Sequence, residues 1–326
     1  MKFAKMADVA ARAGVSVSTV SHVINGTRKV KEETRERVFD AIRELNYSPD
    51  IAARSFKTGR KNMIGFIVPD ISNSFYSYVI EIVEEILEEH GYTLIVVNSG
   101  EKLDRELAHL QFLTSGIVDG CLIASTAERY DELSGFIPDG FPVVFLDRPI
   151  ENNPLEQLCF STERAMKDAV SFLVSSGHRK IGLITGPKEF SSSHERRASF
   201  RKAIEAEGVP FSDKLTLYGA RGLGASIPLA DNLLAKGCTA IIAADNSISY
   251  DIMNHLMLKI MNCETVVVSY CASSRDEFNM ASNPKIVQPT AEFGLCAARA
   301  ILDMVVEPKS LQERTASPFE TVFKQS

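Results

Sequence analysis

Two sets of residues carry side chains whose type and spacing point to chemistry. The first is Ser16-Val17-Ser18-Thr19-Val20-Ser21-His22-Val23-Ile24-Asn25. Read as a helix, it turns Val20 and Val23 inward beside Ala10 and leaves Val17, Ser18, Ser21 and His22 facing out. Short polar side chains on a narrow exposed helix suit close approach to base edges in the major groove of DNA. The second set is Arg196 and the hydroxyl-rich stretch Phe190-Ser191-Ser192-Ser193 before it. Hydroxyls, a helix N-terminus and a guanidinium together can hold a sugar or an anion. Enzyme signatures are missing: there is no GxSxG elbow, Walker loop or HExxH stretch, and Gly219-x-x-Gly222-x-Gly224 lacks dinucleotide-binding spacing.

The first set needs a scaffold, and the flanking sequence supplies one. Met6 to Ala13 has apolar residues at helical spacing and stops at Gly14, and Ser16 is a good N-cap for the helix that follows. Glu32 and Glu33 open a third helix with a buried stripe of Val38, Ala41, Ile42 and Leu45. Three short helices, the second following the first across a glycine turn, form a helix–turn–helix or a three-helix bundle of another purpose. Beyond them, Pro49 stiffens the exit and Asp50 to Phe56 is long enough for about two turns of helix. Such a helix would be marginal alone; either it is supported by a second copy and DNA, with Phe56 as a minor-groove wedge, or it is a linker whose Phe56 packs elsewhere.

Charge separates this head from the rest. Residues 1–60 hold 12 Lys+Arg against 7 Asp+Glu, whereas residues 61–326 hold 24 against 35, so only the head is suited to a polyanion. The six cysteines (Cys121, Cys159, Cys238, Cys263, Cys271, Cys296) show neither CxxC nor metal-ligand spacing and read as reduced thiols, with no metal or cofactor expected. Met1 to Ala10 lacks the apolar run of a signal peptide and no stretch is apolar enough to span a membrane, which leaves the cytoplasm as the expected compartment.

From Met63 onward, apolar runs alternate with amphipathic helical stretches. Strands are expected at 63–70, 93–97, 120–124, 143–146, 181–185, 215–218, 240–244 and 266–269. The pattern predicts parallel sheets covered on both faces. The fold class is therefore α/β: an all-α helix–turn–helix head on a body of two doubly wound lobes. Ligands of such sheets sit beyond the carboxyl ends of the strands, which brings in Asp70, Asn73, Phe75, Asp147 and Arg148; Asp70 and Asp147 serve equally well as caps of the segments after them.

Several motifs, taken in order, resemble the lactose-repressor/galactose-repressor family of bacterial regulators: Asp8-Val9-Ala10, Ala13-Gly14-Val15-Ser16, Thr19-Val20-Ser21, Val23-Ile24-Asn25, Glu33-Thr34-Arg35-Glu36-Arg37-Val38, Leu45-Asn46-Tyr47-Ser48-Pro49 and Ala53-Arg54-Ser55. The resemblance implies a repressor that binds near-palindromic double-stranded DNA as a homodimer and responds to a small effector, a sugar or an anionic metabolite. A sensor without specific DNA recognition is the alternative. The implied DNA contacts are Ser16, Val17, Ser18, Thr19, Ser21, His22, Asn25, Arg28, Ala53, Phe56 and Lys57, with Phe56 where the family usually has leucine. The implied domains are a head of 1–48, a hinge helix and linker of 49–61 and a body of 62–326. Similarity to periplasmic sugar-binding proteins puts lobe crossings near 158, 288 and 316, with lobe one about 62–158 and 289–315 and lobe two about 159–288 and 316–326. For the effector it implies Arg196, with Asp70, Asn73, Phe75, Asp147, Ser192, Arg221 and Asp245 around it, and Cys271 where the family commonly has an effector-binding aspartate. Further departures are Lys5 and Lys31 at N-cap positions usually held by Ser or Thr, Arg221 as an added positive charge, and an end, 318–326, without the family's closing pattern.

Overall fold

A computed structural model describes residues 4–25, 28–47, 59–220, 222, 224–259, 265–272, 283–306 and 319–325. The chain divides into two compact units, Met1–Lys61 and Asn62–Ser326.

In the first unit, α1 (Met6–Ala13), α2 (Val17–Asn25) and α3 (Glu32–Glu44) enclose a small core in which Val9, Val20 and Val38 are fully buried. Gly14 ends α1 at φ 67°, a left-handed conformation in which a side chain would be strained. Its N–H reaches the Ala11 carbonyl at 3.4 Å and the next N–H, of Val15, reaches Ala10 at 3.0 Å, which returns the chain sharply into α2. Ser16 caps that helix, its hydroxyl accepting the Thr19 N–H at 3.1 Å. The two lysine caps differ. At Lys5 the Asp8 carboxylate accepts the Lys5 N–H at 2.7 Å and recovers part of the missing cap, whereas Lys31 has no side-chain cap at all.

The second unit contains two six-stranded sheets, ordered β11-β5-β4-β3-β1-β2 and β12-β10-β9-β8-β6-β7. The first comprises β1 (Met63–Val68), β2 (Thr93–Asn98), β3 (Gly120–Ile123), β4 (Val143–Asp147), β5 (Glu156–Ser161) and β11 (Phe319–Glu320). The second comprises β6 (Ile181–Thr185), β7 (Thr216–Tyr218), β8 (Ala240–Ala244), β9 (Val266–Cys271), β10 (Lys285–Val287) and β12 (Val322–Lys324). All pairings are parallel except β10 with β12. Continuous apolar runs follow from two covered faces. Ile64, Phe66 and Val68 pack with the helices Ser74–Glu89 and Thr290–Val306, while the intervening Ile67 packs against Leu110 and Leu113 of Leu103–Thr114.

The chain passes between the lobes at Thr162, around Gln288 and at Thr321. The first and last of these lie later than the expected 158 and 316, because β5 runs to Ser161 and Phe319–Glu320 joins the first sheet. Assigning 316–326 wholly to the second lobe is thereby corrected. Phe319–Glu320 and Val322–Lys324 contribute one short strand to each sheet.

One buried carboxylate fixes the backbone beyond β3. Glu106 is fully buried and accepts the Thr126 N–H and hydroxyl, both at 2.7 Å, and the Ser125 hydroxyl. Burial raises its pKa from 4.5, and the hydrogen bonds from Ser125 and Thr126 offset only part of that rise. The folded state therefore holds this proton more tightly than the unfolded one. Its contribution to stability is full below about 4.5 and is lost as pH rises through the folded pKa. Glu106→Gln does not titrate, so its melting temperature relative to the parent should become more favourable from pH 5 to pH 8. A difference that stays flat with pH would show that Glu106 does not titrate in this window.

Candidate functional site

The cleft between the two lobes is built from strand ends and helix starts. Beyond β1, Asp70 accepts the Ser72 N–H at 2.9 Å and the Ser72 hydroxyl at 2.7 Å, and Asn73 caps the helix Ser74–Glu89 by accepting the Phe75 N–H at 3.0 Å. Asp147, at the end of β4, has φ 72° and accepts the Tyr76 hydroxyl at 2.8 Å. Burial, then the negative Asp147, holds the Tyr76 hydroxyl well above its ordinary pKa, so it remains a donor. Arg148 gives both terminal nitrogens to Glu101, at 2.7 and 2.6 Å, and its guanidinium lies 3.9 Å from the ring centre of Phe190 in the opposite lobe. Burial works against this cation, but Tyr76, Glu101 and Asp147 outweigh it and its pKa is raised.

In the second lobe Arg196 is 8% exposed. It donates to the Ala244 carbonyl at 2.9 Å, lies 3.4 Å from Asp245 Oδ2 and covers the Tyr270 ring at 4.4 Å. Burial again opposes the charge, and Tyr270, Asp245, Asp147 and Glu195 together raise its pKa. Asp245 is shared, because its other oxygen accepts the Ser247 N–H at 2.9 Å and caps the helix Asn246–Lys259. Both Asp251 oxygens are occupied by backbone N–H groups, of Gly224 at 2.8 Å and Ser226 at 3.2 Å, so this residue anchors a loop.

These side chains bound two chambers. The larger one, about 740 Å³, is lined by Asp70, Asn73, Glu101, Arg148, Phe190, Asp245, Asp251 and Cys271 among others; the smaller one, about 30 Å³, by Asn73, Phe75, Tyr76, Asp147, Ser192, Arg196 and Gln288 among others. The expected effector residues thus fall on one lobe–lobe cleft but divide between two spaces. Arg221 lies outside the described residues. Cys271 is 5% exposed at the end of β9, with its sulfur 3.4 Å from the Ser269 hydroxyl.

In the head, α2 presents the residues expected to face DNA. Ser16, Val17, Ser18 and Arg28 are exposed and Thr19, Ser21 and His22 half-buried, while Val20 and Val23 point into the core. Ser16 also contacts the hydroxyls of Ser18 and Thr19, each at 2.8 Å, so these three orient one another. Asn25 closes the helix. Ala53, Phe56 and Lys57 lie outside the described residues.

Comparison with known proteins supplies the identification. Residues 5–50 match the family described as bacterial regulatory proteins, lacI family, and residues 61–290 match the periplasmic binding proteins and sugar binding domain of the LacI family. The HTH-type transcriptional repressor PurR of Vibrio campbellii is 31% identical over 93% of this chain and 92% of its own length. The chain belongs to the lacI family of bacterial regulators. The catabolite control protein A of Priestia megaterium is 27% identical over 98% of both chains. The crystal structure of the lac repressor dimer bound to operator and the anti-inducer ONPF superposes with a TM-score of 0.81 at 21% identity over 99% of this chain and 98% of that one, which shows a shared fold. A transcriptional regulator CelR in complex with cellobiose superposes with a TM-score of 0.69 at 26% identity over 98% of both chains.

Within this lacI-family framework, the cleft contains residues the strand-end rule did not single out. Glu101, Tyr76, Asn246 and Gln288 all line it. Glu101 and Asn246 follow the ends of β2 and β8 and Tyr76 follows Phe75, so a reading of every strand end would have reached them; Gln288 follows β10, which the apolar pattern did not mark, and its bond to Asn246 at 3.3 Å spans 42 positions, which spacing cannot reveal. Among the described residues, no helix is long and apolar enough to cross a membrane.

The capping geometry yields one test. Ser16→Ala removes the acceptor for the Thr19 N–H and should destabilise the head by about 1 kcal/mol. The check is a thermal melt of the full chain followed by head-specific NMR signals; an unchanged head melt would show that the cap contributes nothing.

Proposed function

We propose that this regulator represses transcription as a homodimer on a near-palindromic operator read by the exposed face of α2, and that a hydroxyl-rich small molecule in the lobe–lobe cleft sets its affinity. The observation that carries the reading is the cleft itself. A space of about 740 Å³ falls within the range of small-molecule sites and is walled by both lobes, so a ligand there binds open and closed arrangements unequally. Among the described residues lining it, Asp70, Glu101, Asp245 and Asp251 are acidic and Arg148 alone is basic; Arg148 is already paired with Glu101, and Arg196, which lines the adjoining space, is paired with Asp245. That balance favours a polyhydroxylated ligand over an anionic metabolite. The cellobiose complex of CelR supports the same ligand class. Phe56 is assigned the minor-groove wedge of the operator complex, with Ala53 and Lys57 beside it.

Two measurements test this. In a salt-dependent titration against genomic fragments, the full chain should select a near-palindromic site and residues 62–326 should select none, with affinity falling steeply as salt rises. Selection by neither would leave a ligand sensor without DNA recognition. Once a site is in hand, Arg196→Ala should abolish the response of operator binding to an active sugar and leave sugar-free operator affinity within about twofold, since the guanidinium lies in the cleft. A preserved response would remove Arg196 from the effector site.

A further inference from the structure

We propose that Arg148, resting on Phe190, is a gate between the larger chamber and the smaller, arginine-lined one, and that a ligand in the larger chamber lifts it. The inference builds on the reading of the cleft as the effector site. Asn73 and Arg148 of the first lobe, and Phe190, Asp245 and Asn246 of the second, line both chambers and so form the partition between them. Within that partition, Arg148 on Phe190 at 3.9 Å is a direct contact from one lobe to the other.

The smaller chamber, about 30 Å³, has room for one or two waters and not for a sugar ring. Yet Arg196 lines it, and its buried Nε has no hydrogen-bond partner among the described residues. Arg148 Nε, in a residue only 8% exposed, is in the same condition at the partition. Two buried donors without acceptors, one of them in the stack itself, mark where a ligand oxygen would be satisfied.

The gate is held in readiness from the first lobe. Glu101, which orients Arg148, has φ 59°, and the adjacent Asp147 has φ 72°; both are non-glycine residues in the left-handed region, a conformation kept only where the surroundings enforce it. The bidentate Glu101 pair keeps the guanidinium plane oriented, so its face is available to the Phe190 ring. A desolvated cation on a ring of this kind should shift the closed-to-open ratio by roughly five- to thirtyfold.

The chain contains no tryptophan, so Phe190→Trp in the full-length protein places a single emitter at the stack. With Arg148 present, the indole should be shielded from acrylamide. Adding Arg148→Ala should raise the quenching constant several-fold and Arg148→Lys should give an intermediate value, because lysine lacks the planar fork. Arg148→Ala leaves Glu101 buried and unpaired, which endangers folding. The double change Glu101→Gln with Arg148→Met avoids this by removing both charges, and it should give the same rise while circular dichroism stays unchanged. Equal quenching in the parent and in the folded variants overturns the gate. The readout needs no DNA, so loss of operator selection would count against the regulator reading and leave this result standing.

Discussion

The body depends on how the last crossing is tied to the first. The Thr321 N–H reaches the Ser161 carbonyl at 3.1 Å and its hydroxyl reaches the same oxygen at 3.3 Å. Because Ser161 ends β5 and Thr321 separates β11 from β12, these bonds hold two of the three lobe crossings side by side. Two sheets joined by adjacent single strands can rotate about that line without breaking either ladder, the geometry of a hinge. Two crossings are also tied to the cleft. Glu195, next to Arg196, accepts the Thr162 N–H at 3.1 Å and its hydroxyl at 2.7 and 2.6 Å, and Gln288 accepts from Asn246 at 3.3 Å. Lobe rotation therefore acts on side chains that line the cavity, and cavity contents act on rotation.

Electrostatics make that coupling selective. Both cleft arginines are more than nine-tenths buried and each has an acidic neighbour, Glu101 for Arg148 and Asp245 for Arg196. Taking such charges out of water costs several kcal/mol per ion, so the pairs are weak sources of stability but strong constraints on geometry. They also remove the cations from competition for an anionic ligand. Cys271 extends the pattern. A thiol at the end of β9 cannot accept two hydroxyls as a carboxylate would, so on the proposed reading a polyhydroxylated ligand is held by neighbouring hydroxyls, amides and the remaining carboxylates.

The strands with uninterrupted apolar runs were legible in the sequence because burial on two faces leaves no other composition: β1, β3, β4, β6 and β8 all lie where their runs predict. β5, β10, β11 and β12 were not, since Glu156, Gln157, Lys285, Glu320 and Lys324 interrupt segments that are partly exposed or only two or three residues long, and whose pairing is decided by partners far along the chain. The site divided the same way. Strand ends led to Asp70, Asp147 and Arg148, and the hydroxyl-rich stretch before it, together with the resemblance, led to Arg196. The division into two chambers depends on which side chains meet across the lobes, and nothing in local spacing encodes that Arg148 stops on Phe190.

The head obeys a different constraint. Its core rests on a few small side chains, Val9, Ala10, Val20, Val38 and Ala41, with Tyr47 as the large buried ring. A unit of this size buries too little apolar surface to be more than marginally stable, and the missing cap at Lys31 weakens it further. The Arg12–Glu44 pair at 2.6 Å joins α1 to α3, but with both side chains more than half exposed it contributes little. Anything that binds only the folded head then adds its binding free energy to the head's stability. If, as proposed, the exposed polar face of α2 reads the operator, that face and the fold behind it are thermodynamically linked: DNA that engages it also holds the three helices together, so operator affinity already contains the cost of folding its own reader.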